Sequence, residues 1–107
     1  MPEAVCTYYA GNHRIYAQGF AFLCDENYNR IYWDGDVGLY KCKCGDRFLC
    51  EGSPEAGTII GKYATEGAIL GAATVSGVGV LRINSKLIYE TTARSLPGFT
   101  FYPGNPN

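Results

Sequence analysis

Between Tyr40 and Cys50 the chain reads Tyr-Lys-Cys-Lys-Cys-Gly-Asp-Arg-Phe-Leu-Cys. Alternating residue types on either side of a glycine turn are the pattern of a β-hairpin, and this hairpin constrains the fold more than any other segment. Side chains two apart in a strand share a face, so Cys42 and Cys44 project from one side while Lys41 and Lys43 project from the other. If Gly45-Asp46-Arg47 is a three-residue turn, Cys42 lies across from Cys50 and Cys44 across from Phe48. A two-residue Gly45-Asp46 turn puts Cys50 on the lysine face instead. The three-residue turn is the expectation, because glycine-containing loops of that length are common in hairpins.

The rest of the sequence keeps the same period of two, with no long helical stripe. Arg14–Gln18 alternates, and Phe20–Cys24 reads as a fuller, more buried strand. Asp25-Glu26-Asn27 and Asp34-Gly35-Asp36 are turn chemistry flanking Arg30–Trp33. Gly52–Gly57 is a loop, and Thr58–Tyr63, Ala68–Val75, Val78–Asn84 and Lys86–Thr92 read as further strands. Fourteen glycines and nine tyrosines among 107 residues fit an all-β fold rich in turns. That length is one domain, read as a β domain over residues 1–96 and a Pro/Gly-rich tail over 97–107. The tail is expected to be irregular, with Phe99, Phe101 and Tyr102 docking onto something.

With 47% hydrophobic and 18% charged residues the chain is not of the disordered class. A net charge of −1 carries no signature for nucleic acid or a membrane surface. Met1-Pro2-Glu3-Ala4-Val5 has neither the positive nor the apolar region of a secretory signal. Synthesis in the cytoplasm is therefore expected, where thiols stay reduced and clustered cysteines favour metal over disulfides.

Five cysteines and one histidine make up the soft-ligand inventory. A structural zinc takes four tetrahedral nitrogen or sulfur ligands, and Cys42, Cys44 and Cys50 with His13 supply a Cys₃His set. Such a site would pin a small domain, because metal binding energy is folding energy. A Cys42–Cys50 disulfide is the alternative if the two face each other. Cys6 and Cys24 read as buried apolar cysteines. His13 follows Gly11-Asn12 and reads equally as an ordinary turn residue.

A weak internal repeat joins three places where a turn position precedes a basic residue and a short strand: Asn29–Tyr32, Ile60–Ala64 and Ile83–Ile88. Asn29-Arg30-Ile31-Tyr32-Trp33-Asp34-Gly35-Asp36 leads into Cys42-Lys43-Cys44-Gly45 and Glu51-Gly52-Ser53-Pro54. Gly61–Gly67 is followed by Gly71–Gly77, and Asn12-His13-Arg14-Ile15 precedes the first strand. Over residues 5 to 90 this order of motifs resembles the PAAR-repeat family, the conical spike-tip proteins of type VI secretion systems and contractile phage tails. The Pro-Ala-Ala-Arg tetrapeptide itself is absent. The resemblance implies a small conical cap of short hairpin repeats. Such a cap seats on a trimeric β-helical spike protein, sharpens it for piercing a target cell envelope, and has its apex pinned by zinc. It would be made in the cytoplasm and assembled at the tip of a phage tail or secretion machine.

Enzyme chemistry finds little footing. The Cys and His residues lack a third orienting group, and Asp34, Asp36, Asp46 and Glu51 read as solvated turn carboxylates. Gly77-Val78-Gly79 lacks the lysine and helix of a phosphate loop. A non-enzymatic protein is expected. The alternative to the spike tip is a phage or viral decoration or adaptor protein with a β-sandwich fold. A thiol-based redox protein would require a thiolate of lowered pKa.

Overall fold

The computed structural model describes residues 13–42, 44–52, 54, 57–94, 96 and 98–102. The fold is all-β, and no α-helix occurs among the described residues. The strands are β1 (His13–Phe20), β2 (Leu23–Cys24), β3 (Arg30–Ile31), β4 (Val37–Cys42), β5 (Arg47–Glu51), β6 (Lys62–Ala64), β7 (Ile69–Val75), β8 (Val78–Ile83), β9 (Tyr89–Glu90) and β10 (Phe99–Tyr102). They form a curled six-stranded sheet in the order β10-β1-β4-β5-β6-β9 and a four-stranded sheet in the order β3-β2-β8-β7.

Alternation along β4, β5 and β6 explains how the two sheets meet. Tyr40, Cys42, Phe48, Cys50 and Tyr63 point to one face and join Ile15, Ile60, Leu96 and Phe99 in a buried cluster that fills the hollow of the curl. Val37, Leu49 and Ala64 point to the other face and pack with Leu23, Trp33, Ala68 and Ile83, largely from the second sheet and its flanks. The central strands are thus buried on both sides, and a fully buried residue such as Leu49 contributes about 2 kcal/mol by its removal from water.

The C-terminal aromatic stretch belongs to this core. Residues 99–102 form an edge strand parallel to β1, with His13 opposite Phe99 and Tyr16 opposite Tyr102. Phe99 meets Phe48 edge-on at 4.9 Å, Phe101 meets Tyr40 edge-on at 5.5 Å, and Tyr102 stacks on Tyr16 at 5.4 Å. The docking expected of these aromatics is therefore onto the chain's own first strand.

Two other expectations change in detail. Phe20–Cys24 is not one buried strand: β1 carries an irregularity between Ala17 and Gly19, ends at Phe20, and the chain crosses to the second sheet before β2. Leu23 and Cys24 are buried there, while Phe20 and Phe22 face solvent. Lys86–Thr92 is a 3₁₀ turn over Ser85–Leu87 followed by the two-residue β9. The Ala68–Val75 and Val78–Asn84 segments do form strands, joined by the two-residue turn Ser76-Gly77.

The three repeat-like segments occupy unlike positions. Asn29–Tyr32 contains an edge strand of the second sheet, Ile60–Ala64 enters the six-stranded sheet, and Ile83–Ile88 is built around the 3₁₀ turn.

Candidate functional site

The thiol-bearing hairpin forms, with a register that separates its cysteines. Tyr40 pairs with Phe48 and Lys41 with Arg47, so Cys50 lies opposite Gly38. Cys42 faces Asp46, whose carbonyl accepts the Cys42 N–H at 2.9 Å, and the Gly45 N–H closes the turn on the Cys42 carbonyl at 2.9 Å. The loop does have three residues, but it lies between Cys42 and Asp46 and includes Cys44 and Gly45. Gly45 takes φ +104° at the last loop position, where a type I turn followed by a left-handed residue favours glycine. Placing the glycine first in the loop, as the sequence suggests, shifts the pairing by two residues on each strand.

Cys42 and Cys50 consequently point to the same buried face but lie four positions apart along the ladder, roughly 13 Å. Two thiolates on one zinc stand no more than about 4.6 Å apart. At that separation along the ladder Cys42 and Cys50 do not stand as two ligands of one tetrahedral centre. Among the described residues no three of His, Cys, Asp and Glu gather into a metal-holding group. Cys42 and Cys44 sit at the turn end of the sheet, and the register of β1, with Ile15 opposite Cys42, brings the His13 backbone to that same end. The His13 side chain and Cys6 lie outside the described residues.

Cys24 is the remaining thiol, fully buried in β2. Burial pushes its pKa up and the neighbouring Asp25 charge adds to this, with Arg82 and Arg30 opposing. That is the reverse of what an activated redox thiolate needs.

The carboxylate expectations divide. Glu51 is not a solvated turn residue: its Oε2 accepts the Asp34 N–H at 2.9 Å and its Oε1 accepts the Lys62 N–H at 3.1 Å. It therefore ties the Asp34–Asp36 turn to β6. Glu66 holds Arg47 through two of its three side-chain nitrogens, Nε at 3.2 Å and Nη2 at 3.3 Å, and also accepts the Arg47 N–H at 3.1 Å.

A different site emerges at the corner where the chain leaves one sheet for the other. Phe20, Ala21, Phe22 and Leu23 form one wall of a cleft of about 210 Å³, with Arg30–Trp33 and Gly35–Val37 around the rest. Phe20, Phe22 and Tyr32 are 74%, 56% and 75% exposed, a concentration of aromatic surface that soluble proteins seldom leave open without use. Arg30 lies over two of these rings. Its guanidinium carbon stands 5.3 Å from the Phe22 centroid and 5.1 Å from the Tyr32 centroid, within cation–π range of both. Its Nε is buried without a hydrogen-bond partner. By sequence alone Phe20 and Phe22 read as core and Arg30 as a repeat position. The Arg-Ile-Tyr-Trp run was the available signal, since alternation sends Arg30 and Tyr32 to one face.

The cleft is braced from behind. Asp25 Oδ1 accepts the N–H groups of Asn27 and Asn29 at 2.8 and 2.9 Å, shaping the turn between β2 and β3. Glu26 binds the Ser85 hydroxyl at 2.7 Å and the Ser85 N–H at 3.1 Å, and its carbonyl accepts two bonds from Arg82. Arg82 also lies 4.9 Å from the Tyr28 ring. These contacts fix the turn between β2 and β3 against the end of β8 and the turn that follows it.

No helix among the described residues is long and apolar enough to cross a membrane. Comparison with protein-family models, curated proteins and solved structures returns no match.

Proposed function

We propose that this chain is a non-enzymatic attachment protein, a decoration or adaptor subunit that seats on a larger assembly through the aromatic cleft at the β1–β3 corner. The observation that carries this is the joint exposure of Phe20, Phe22 and Tyr32 around Arg30. Aromatic residues and arginine are the side chains that dominate binding energy at protein interfaces. Attachment resides in this face rather than in Phe99–Tyr102, which the fold consumes internally.

A spike-tip role is the second reading, supported by the order of motifs at Asn29–Asp36 and Gly61–Gly67. There the partner is a trimeric β-helical spike and the work is mechanical. A cap on a three-fold axis presents three matching faces, whereas one aromatic corner suits seating on a single surface. That difference puts the adaptor first.

The test is site-specific photocrosslinking in the assembled particle, with a photoreactive residue replacing Phe20, Tyr32 or the exposed Lys41. Crosslinks from positions 20 and 32 to one stretch of one partner, with none from 41, are expected. Equal crosslinking from 41, or none from 20 and 32, overturns the proposal. A partner that is a β-helical trimer carrying one chain per trimer would favour the spike tip.

A further inference from the structure

We infer that the cleft is a receptor for a carboxylate side chain flanked by an apolar residue on the partner polypeptide, with Arg30 as its anchor. This rests on the cleft being the docking face. Arg30 has no hydrogen bond or ion pair from its side chain among the described residues, and Asp36, the other charge on the cleft wall, does not reach it. The contacts its charge makes are with the π faces of Phe22 and Tyr32. Stacking uses the flat of a guanidinium and leaves its N–H edge for a planar acceptor, which a carboxylate matches with two parallel bonds.

Size and field narrow the occupant. About 210 Å³ is below the volume of ordinary small-ligand pockets and accommodates one or two side chains. The chain's net charge of −1 provides no extended positive field for a polyanion. The exposed rings of Phe20 and Tyr32 supply apolar surface beside the cation. An acidic residue next to an aromatic or aliphatic one satisfies all three conditions.

Trp33, the only tryptophan of the chain, lines the cleft and reports its occupancy by fluorescence. The probes are acetyl-Ala-Phe-Glu-Ala-amide and the same peptide with Gln in place of Glu, titrated against the full chain. The Glu peptide is expected to bind about tenfold more tightly. Arg30→Gln should abolish that preference, and Arg30→Lys should keep only part of it, because lysine lacks the planar fork. An unchanged Trp33 emission maximum in the unliganded variants checks that they fold. Equal affinity for the two peptides, no saturable response to the Glu peptide, or a preference that survives Arg30→Gln overturns the inference. Binding of N-acetylphenylalanine as a free acid without response to the Glu peptide assigns the cleft to a small acid and overturns it as well. Loss of assembly crosslinks in Tyr32→Ser with retention in Arg30→Gln would leave the docking face standing and remove only the carboxylate.

Discussion

The carboxylate of Glu51 occupies the space that a side chain on Gly61 would need: a β-carbon at position 61 would overlap Glu51 Oε1. The same carboxylate binds the N–H groups of Asp34 and Lys62, so one side chain joins the end of β5, the turn before β4 and the start of β6. A side chain at 61 would have to push this carboxylate off its two backbone donors.

Gly61→Ala should therefore destabilise the fold by about 2 kcal/mol, since the added methyl displaces the carboxylate from two backbone donors. Glu51→Ala should cost a similar amount. In the Glu51→Ala background the Gly61→Ala change should be nearly neutral, because the group it collides with is gone. Urea unfolding of the two single variants and the double variant measures this coupling. Additive losses would mean that the two positions act independently.

Ser76 has φ +52° and Gly77 φ +80°, the two left-handed residues of a type I′ turn between β7 and β8. Asparagine tolerates that conformation better than serine. Ser76→Asn should raise stability by about 0.5 kcal/mol, read as a higher urea midpoint with an unchanged slope. A loss of stability would show that Ser76 makes a contact the turn geometry does not reveal.

The two arms of the β7–β8 hairpin were legible as strands from local signals, alternation along Val78–Asn84 and the glycines and β-branched end of Ala68–Val75, while the Ser76-Gly77 turn that joins them comes from the structure. The Tyr40–Cys50 hairpin was legible as a hairpin but not in register. Gly45 can begin a loop or end it, and only the turn's hydrogen bonds decide. Phe20 and Phe22 look like core by composition. Their exposure follows from the crossing between sheets, set by pairings with β4 and β8 that no local pattern encodes. The same holds for β10, whose parallel partner β1 lies at the far end of the chain. Arg30 was visible as a basic residue, but its place over the Phe22 and Tyr32 rings depends on how β3 folds back on β2.

Acid should loosen the β2–β3 turn first. Hydrogen bonds from the Ser85 hydroxyl and then its N–H hold the Glu26 pKa below the ordinary glutamate value, and the Asn29 N–H foremost does the same for Asp25. A carboxylate whose folded pKa is depressed contributes stability above its unfolded pKa and loses it as pH falls through the folded value. Stability should thus decline from about pH 4 downward. Glu26→Gln should flatten that decline while lowering the plateau at neutral pH. Urea midpoints measured from neutral to acid pH check both. An unaltered slope in Glu26→Gln would place the acid sensitivity elsewhere.

The hairpin register makes its own prediction about the thiols. With Cys42 and Cys50 four positions apart on the ladder, mild oxidation of the native protein should not join them, because a disulfide requires α-carbons within about 7 Å. After unfolding in urea the same oxidant should join them readily, since only a short loop separates the two residues. Peptide mapping by mass spectrometry distinguishes the outcomes. For the same reason, whatever zinc the protein carries when purified without chelator should be retained in Cys50→Ala and reduced in Cys44→Ala. A native Cys42–Cys50 crosslink, or loss of zinc in Cys50→Ala, would mean that the strands pair with Cys42 facing Cys50 and that the three thiols share one centre after all.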